Sequence, residues 1–117
     1  MTSRTKVTEF LRVFRERAER FGGVYVINRV KNRDALVELG LTKEQREEAI
    51  LSLTPEDYCE GPLPDRQGSG SVWVFGRTEE GREIYIKLKV THGAICVSFH
   101  AAEQALRYPL RQQKEGR

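Results

Sequence analysis

His100, Tyr85 and Lys87 are the residues whose types and spacing point to chemistry. From Arg82 to Thr91 the chain alternates Ile84, Ile86, Leu88 and Val90 against Glu83, Tyr85, Lys87 and Lys89. Strict alternation sends the first set into a core and the second onto an open strand face. Ala94 to His100 follows, with Ile95, Val97 and Phe99 alternating against Cys96, Ser98 and His100. If His92-Gly93 is a two-residue hairpin turn, Val90 meets Ile95, Leu88 meets Val97 and Ile86 meets Phe99, three apolar pairs that support the register. On the other face Lys89 then meets Cys96, Lys87 meets Ser98 and Tyr85 meets His100. Metal-free RNA cleavage needs a group to take the 2′-hydroxyl proton, cations for the charge developing on phosphorus, and an acid for the departing 5′-oxygen. His100 is the natural proton carrier, because an imidazole titrates near a pH of about 6.5. Lys87 and Lys89, with Arg82 or Arg77, supply positive charge, and Tyr85 stacks on a base or donates its hydroxyl proton. The plain alternative is a solvated face, since lysines on an open antiparallel sheet and a Tyr opposite a His are both common.

The elements that must position this face are legible in outline. Val7, Phe10, Leu11, Phe14, Ala18 and Phe21 recur at helical spacing, which predicts an N-terminal helix over residues 1–21, stopped by Gly22-Gly23 and basic on its other faces. Val24 to Val30, VYVINRV, predicts a short strand. Asn32 caps a helix through Leu39 that ends at Gly40, and Thr42 with Gln45 makes a capping box for a helix to about Leu53. Thr54-Pro55 starts one further turn. Residues 61–70, GPLPDRQGSG, read as a loop, Val72 to Phe75 as a strand, and Thr78 to Gly81 as a turn. The length of that turn decides whether Trp73 shares the Tyr85 face, and the core is its expected place. His92 is a turn residue.

Composition narrows the function classes. With 117 residues, 38% hydrophobic and 32% charged, the chain suits one domain over 1–117: N-terminal helix 1–21, sheet core 71–100 and C-terminal tail 101–117. Cys59 and Cys96 show neither metal nor disulfide spacing and are expected reduced. No apolar run suggests a signal peptide or a membrane span, so a cytoplasmic location is expected, with no membrane partner. P-loop, GxGxxG, HExxH and GxSxG patterns are all missing, which predicts no cofactor and no metal. The net charge of +3 is compatible with polyanion contact, but its distribution matters more than its sum. Glu60 is a candidate carboxylate base, ranked below His100.

The run LVELGLTKEQREEAILSLTPEDY, then VWVFG, then GREIYIKLKVTHGAICVSFH, resembles the MqsR family of bacterial toxin–antitoxin toxins in order and spacing, over about residues 28 to 100. The resemblance implies an α+β, RelE-like fold, with N-terminal helices packed on a small antiparallel sheet that ends in a C-terminal hairpin. It also implies sequence-selective mRNA endonuclease activity, neutralised by a cognate antitoxin, with single-stranded mRNA as substrate and the ribosome as a further candidate partner. Position by position, the family's sheet tyrosine falls at Tyr85, the lysine after it at Lys87, and the basic residue closing the VSF step at His100. Two family positions differ: the lysine after the acidic-aromatic pair is Glu60 here, and the strand glutamine falls near Val72 or Trp73. The tail AAEQALRYPLRQQKEGR runs past the matched end and adds Arg107, Tyr108 and Arg111 as RNA or antitoxin contacts. The rival reading is a non-catalytic RNA- or protein-binding module of the same fold.

Overall fold

The computed structural model describes residues 2–111. Ser3 opens α1 (Arg4–Arg20) by accepting the Lys6 N–H, and the expected stripe buries Val7, Leu11, Phe14 and Ala18. Phe21 lies past the last turn and is exposed, so the stripe is one residue shorter than the spacing suggests. The VYVINRV strand is shorter too. β1 covers only Val24–Val26, and α2 (Val30–Leu39) begins where the strand was expected to continue. Gly40 ends α2 in the left-handed conformation, φ 69°, which glycine adopts without a Cβ clash. α3 (Lys43–Leu51) carries the anticipated Thr42–Gln45 capping box. A 3-10 turn over Pro55–Asp57 then leads into the sheet.

All four strands read from the sequence form, and a fifth was missed. β2 (Tyr58–Pro64) runs through the Pro/Gly stretch taken for a loop; only residues 65–70 connect it to β3 (Ser71–Glu79). Its pairing with β3 shifts register twice, which is how an edge strand accommodates Gly61 and two prolines. β4 (Arg82–Val90) pairs with β3 through a tight turn at Glu80-Gly81, two residues later than Thr78 would allow. β5 (Ala94–Ala101) completes a five-stranded sheet of order β1-β5-β4-β3-β2, antiparallel except for β1 beside β5. The α+β architecture is as expected, with the parallel β1 edge as an addition. The helices cover one face: Ile84, Ile86, Leu88 and Phe99 are fully buried against α1, and Trp73 packs on that side, stacked 4.5 Å from the Phe10 ring. No helix of the described residues is long and apolar enough to cross a membrane.

The β4–β5 hairpin departs from the expected register and then returns to it. Thr91 joins His92 and Gly93 in the connection, so the strands close as Val90↔Ala94, Lys89↔Ile95 and Leu88↔Cys96, one residue out of step. A bulge at Val97 absorbs the extra residue, after which Lys87↔Ser98, Tyr85↔His100 and Ile86↔Phe99 pair as anticipated. The consequence is a reversal of sides near the turn. Cys96 is buried in the core, whereas Ile95 and Val97, read as core residues, line a groove on the open face. Asn32 secures the bulge rather than capping α2. Buried to 2% exposure, it accepts the Phe99 N–H at 3.0 Å and donates to the Val97 and Ile27 carbonyls at 3.0 Å each.

Candidate active site

Alternation along β4 carries Tyr85 and Lys87 to the face away from the helices, and the corrected register of β5 brings His100 opposite Tyr85. The two rings stack, centroids 5.3 Å apart and planes 20° from parallel. Lys87 Nζ stands 5.9 Å from the Tyr85 ring centroid. His100 Nδ1 lies 3.0 Å from the Ala101 carbonyl oxygen. A carbonyl can only accept, so this contact places the imidazole proton on Nδ1 and leaves the Nε2 lone pair as the basic position. Partial burial first, and then the Glu60 charge, raise the Tyr85 phenol above its usual range. The phenol therefore keeps its proton across the neutral range and is available as a donor.

Glu60 enters by the sheet register. It pairs with Val74, Val74 with Lys87, and Lys87 with Ser98, which lines four strands' residues in one row across the open face. Tyr85, Lys87, His100 and Glu60 share a cleft of about 700 Å³. A second hollow of about 790 Å³, floored by Ile95, Val97 and Leu63, adjoins it through Arg29, Glu60 and Lys87. The two form one groove along the sheet, basic at its centre.

The remaining expected cations divide by face. Lys89 lines the second hollow, but its ammonium is held 2.5 Å from Asp65 in a largely buried pair that pins the 65–70 connection. Arg77 and Arg82 project to the helix side. Arg77 bonds Glu79 and Ser52, both at 2.6 Å, and Arg82 bonds the Glu38 carbonyl at 3.2 Å. Neither lines the cleft with Tyr85. Arg107 does line it, from the tail. Arg29 was missed by sequence reasoning. It donates to the Val97 carbonyl at 3.0 Å and to Ser98 Oγ at 3.4 Å, so its guanidinium lies where the two hollows meet. No local pattern marks Arg29, because its place depends on β1 pairing with β5 far along the chain.

Cys59 borders the cleft, and burial pushes its thiol up to about 12, which leaves it protonated and a poor nucleophile. Among the described residues no three His, Cys, Asp or Glu side chains gather closely enough to hold a metal ion. The arrangement offers an imidazole nitrogen with a free lone pair, a protonated phenol and at least two cations around one cleft. That inventory fits phosphodiester cleavage by general acid–base catalysis. The family model described as "Motility quorum-sensing regulator, toxin of MqsA" matches residues 11–101. No curated protein and no solved structure matches the chain.

Proposed function

Because the chain belongs to the MqsR toxin family, the toxin half of a toxin–antitoxin pair, we propose that it is an endoribonuclease that cuts single-stranded mRNA without a metal ion and so arrests translation and growth. The observation that carries this reading is the stacked Tyr85–His100 pair with Lys87 beside it. In the proposed reaction His100 Nε2 takes the proton from a 2′-hydroxyl, and the 2′-oxygen attacks phosphorus. The bond from phosphorus to the 5′-oxygen breaks, and the Tyr85 hydroxyl delivers a proton to that oxygen. The products are a 2′,3′-cyclic phosphate and a 5′-hydroxyl. Lys87 and Arg29 offset the negative charge that builds on the non-bridging oxygens. A proton returned from His100 through water to Tyr85 restores the site. The cognate antitoxin is the protein partner that family membership implies.

The test is cleavage of a defined single-stranded RNA in EDTA by the purified protein, compared with His100→Ala and Lys87→Ala, with the 5′ ends mapped. Cutting at a recurrent short sequence, lost in both variants, is the expected result. A folded wild-type protein that binds the RNA but cuts nothing, with or without ribosomes, would replace this reading with a non-catalytic binding module.

A further inference from the structure

From Ala102 to Arg111 the chain stays on the molecule. Ala102 donates its N–H to the Glu83 carbonyl at 2.8 Å, and the following residues double back across the open face of β4 and β3. The Glu83 carboxylate clasps this segment twice, accepting the Leu106 N–H at 3.3 Å and the Tyr108 hydroxyl at 2.7 Å. Gly76, the neighbour of Tyr85 on β3, forms the notch that receives it. A Cβ at Gly76 would stand well inside van der Waals distance of both Tyr108 and Leu106. Farther on, Arg111 stacks 3.6 Å over the Tyr108 ring and bonds the Glu56 carbonyl, while Arg4 bonds the Leu110 carbonyl. Glu103 closes the near end through an ion pair with Lys31 at 2.6 Å.

This strap lies outside the family match, which ends at residue 101, yet residues 103–107 make up one side of the cleft that holds Tyr85, Lys87 and His100. It stands beside those side chains rather than over them, for Tyr85 and His100 stay partly exposed and the cleft stays open between the strap and Glu60. Arg107 is exposed on that wall, with no hydrogen bond or ion pair to another described residue. A cation held without a carboxylate partner on the rim of a cleft suits a phosphate. Resting on the ribonuclease reading above, we propose that residues 102–111 are a fixed wall of the nucleotide site, with Arg107 as a further phosphate-binding residue held in place by the Gly76 notch and the Glu83 clasp.

The experiment measures binding of a single-stranded 2′-O-methyl RNA, which lacks the attacking hydroxyl and cannot be cut, to the full chain and to Gly76→Ala, Glu83→Ala and Arg107→Ala. Gly76→Ala forces the strap away by bulk and Glu83→Ala unfastens it, so the two act by unrelated means. Tryptic cutting after Arg107 reports release in both. Release is expected to weaken binding about tenfold, and Arg107→Ala to weaken it similarly while reducing the slope of log affinity against log salt by about 0.7, the share of one single-strand phosphate contact. A released strap with wild-type affinity overturns the wall, and tighter binding overturns it in favour of a cover over the site. If neither variant speeds tryptic cutting, the notch and clasp are not what hold the strap and the proposal fails. These results leave the ribonuclease reading standing if wild type cuts unmodified RNA; a wild type that neither binds nor cuts brings down both.

Discussion

At the scale of single residues, the cleft separates groups that titrate usefully from groups made inert. Tyr85 is raised by partial burial first and by the Glu60 charge after it, so its proton is lost only above the ordinary tyrosine range. If the phenol is the acid, wild-type cleavage declines only at a pH above the ordinary tyrosine value of about 10. Tyr85→Phe should lower the rate about 100-fold at pH 7, within the range of one general acid, and should abolish that alkaline limb in a rate profile. His100→Ala should cost about 1,000-fold in turnover while changing RNA affinity less than tenfold, as read by single-turnover kinetics beside a binding titration. Cys59 on the cleft border is inert, and Cys96, buried in the core, is the more extreme case of the same effect. Burial pushes its thiol up to about 12 from a reference of 9.0, so between those values the unfolded chain ionises first and stability falls as pH rises. Between pH 8 and 10.5 the wild type should therefore lose about 2 kcal/mol more than Cys96→Ala, measured by urea unfolding at each pH.

At the scale of elements, the bulge in β5 decides whether the site exists. The three-residue connection after Val90 displaces the pairing by one, and only the extra residue at Val97 returns His100 to Tyr85. Asn32 bonds the groups the bulge leaves without ladder partners, the Phe99 N–H and the Val97 carbonyl. Asn32→Ala strips the buried Phe99 N–H of its acceptor, while the Val97 and Ile27 carbonyls each keep a bond from Arg29, and should cost about 2 kcal/mol in urea unfolding, within the roughly 1–3 kcal/mol of one buried unpaired group. Cleavage by the fraction that stays folded should also fall, because the imidazole loses its register. Full activity in folded Asn32→Ala would show that the hairpin holds this pairing without the asparagine.

At the scale of the molecule, the sheet presents two unlike faces. One is sealed by α1 around Phe14, Phe75 and Phe99, each 1% exposed or less, and the other is an open groove with Lys87, Arg29 and Arg107 along it. A net charge of +3 is too small to attract RNA by its sum, so the salt dependence should report this local cluster. With three phosphate contacts, log affinity should fall against log salt with a slope of about −2. A slope near zero in a salt titration would instead indicate a surface built for a protein partner.

The helices, the alternation of β4, the family and the residue types at Tyr85, Lys87 and His100 were legible along the chain, because each of these is written in local spacing or in motif order. The Thr42–Gln45 capping box and the Gly40 stop belong to the same class, since their hydrogen bonds close within a few residues. What depends on distant partners emerged with the fold. Tyr58–Pro64 is a strand because β3 pairs with it, despite prolines that locally argue for a loop. Cys96 and Val97 exchange faces because a loop and a bulge displace the ladder by one residue each, and strand periodicity carries no mark of either. Arg82 shares the parity of Ile84 and so follows from the β4 alternation, whereas Arg77 faces the helices and Arg29 and Arg107 reach the cleft because the β3 register, the parallel β1–β5 pairing and the strap over Gly76 are set by contacts between segments far apart in the chain. Local chemistry named the groups, and long-range pairing chose which of them meet.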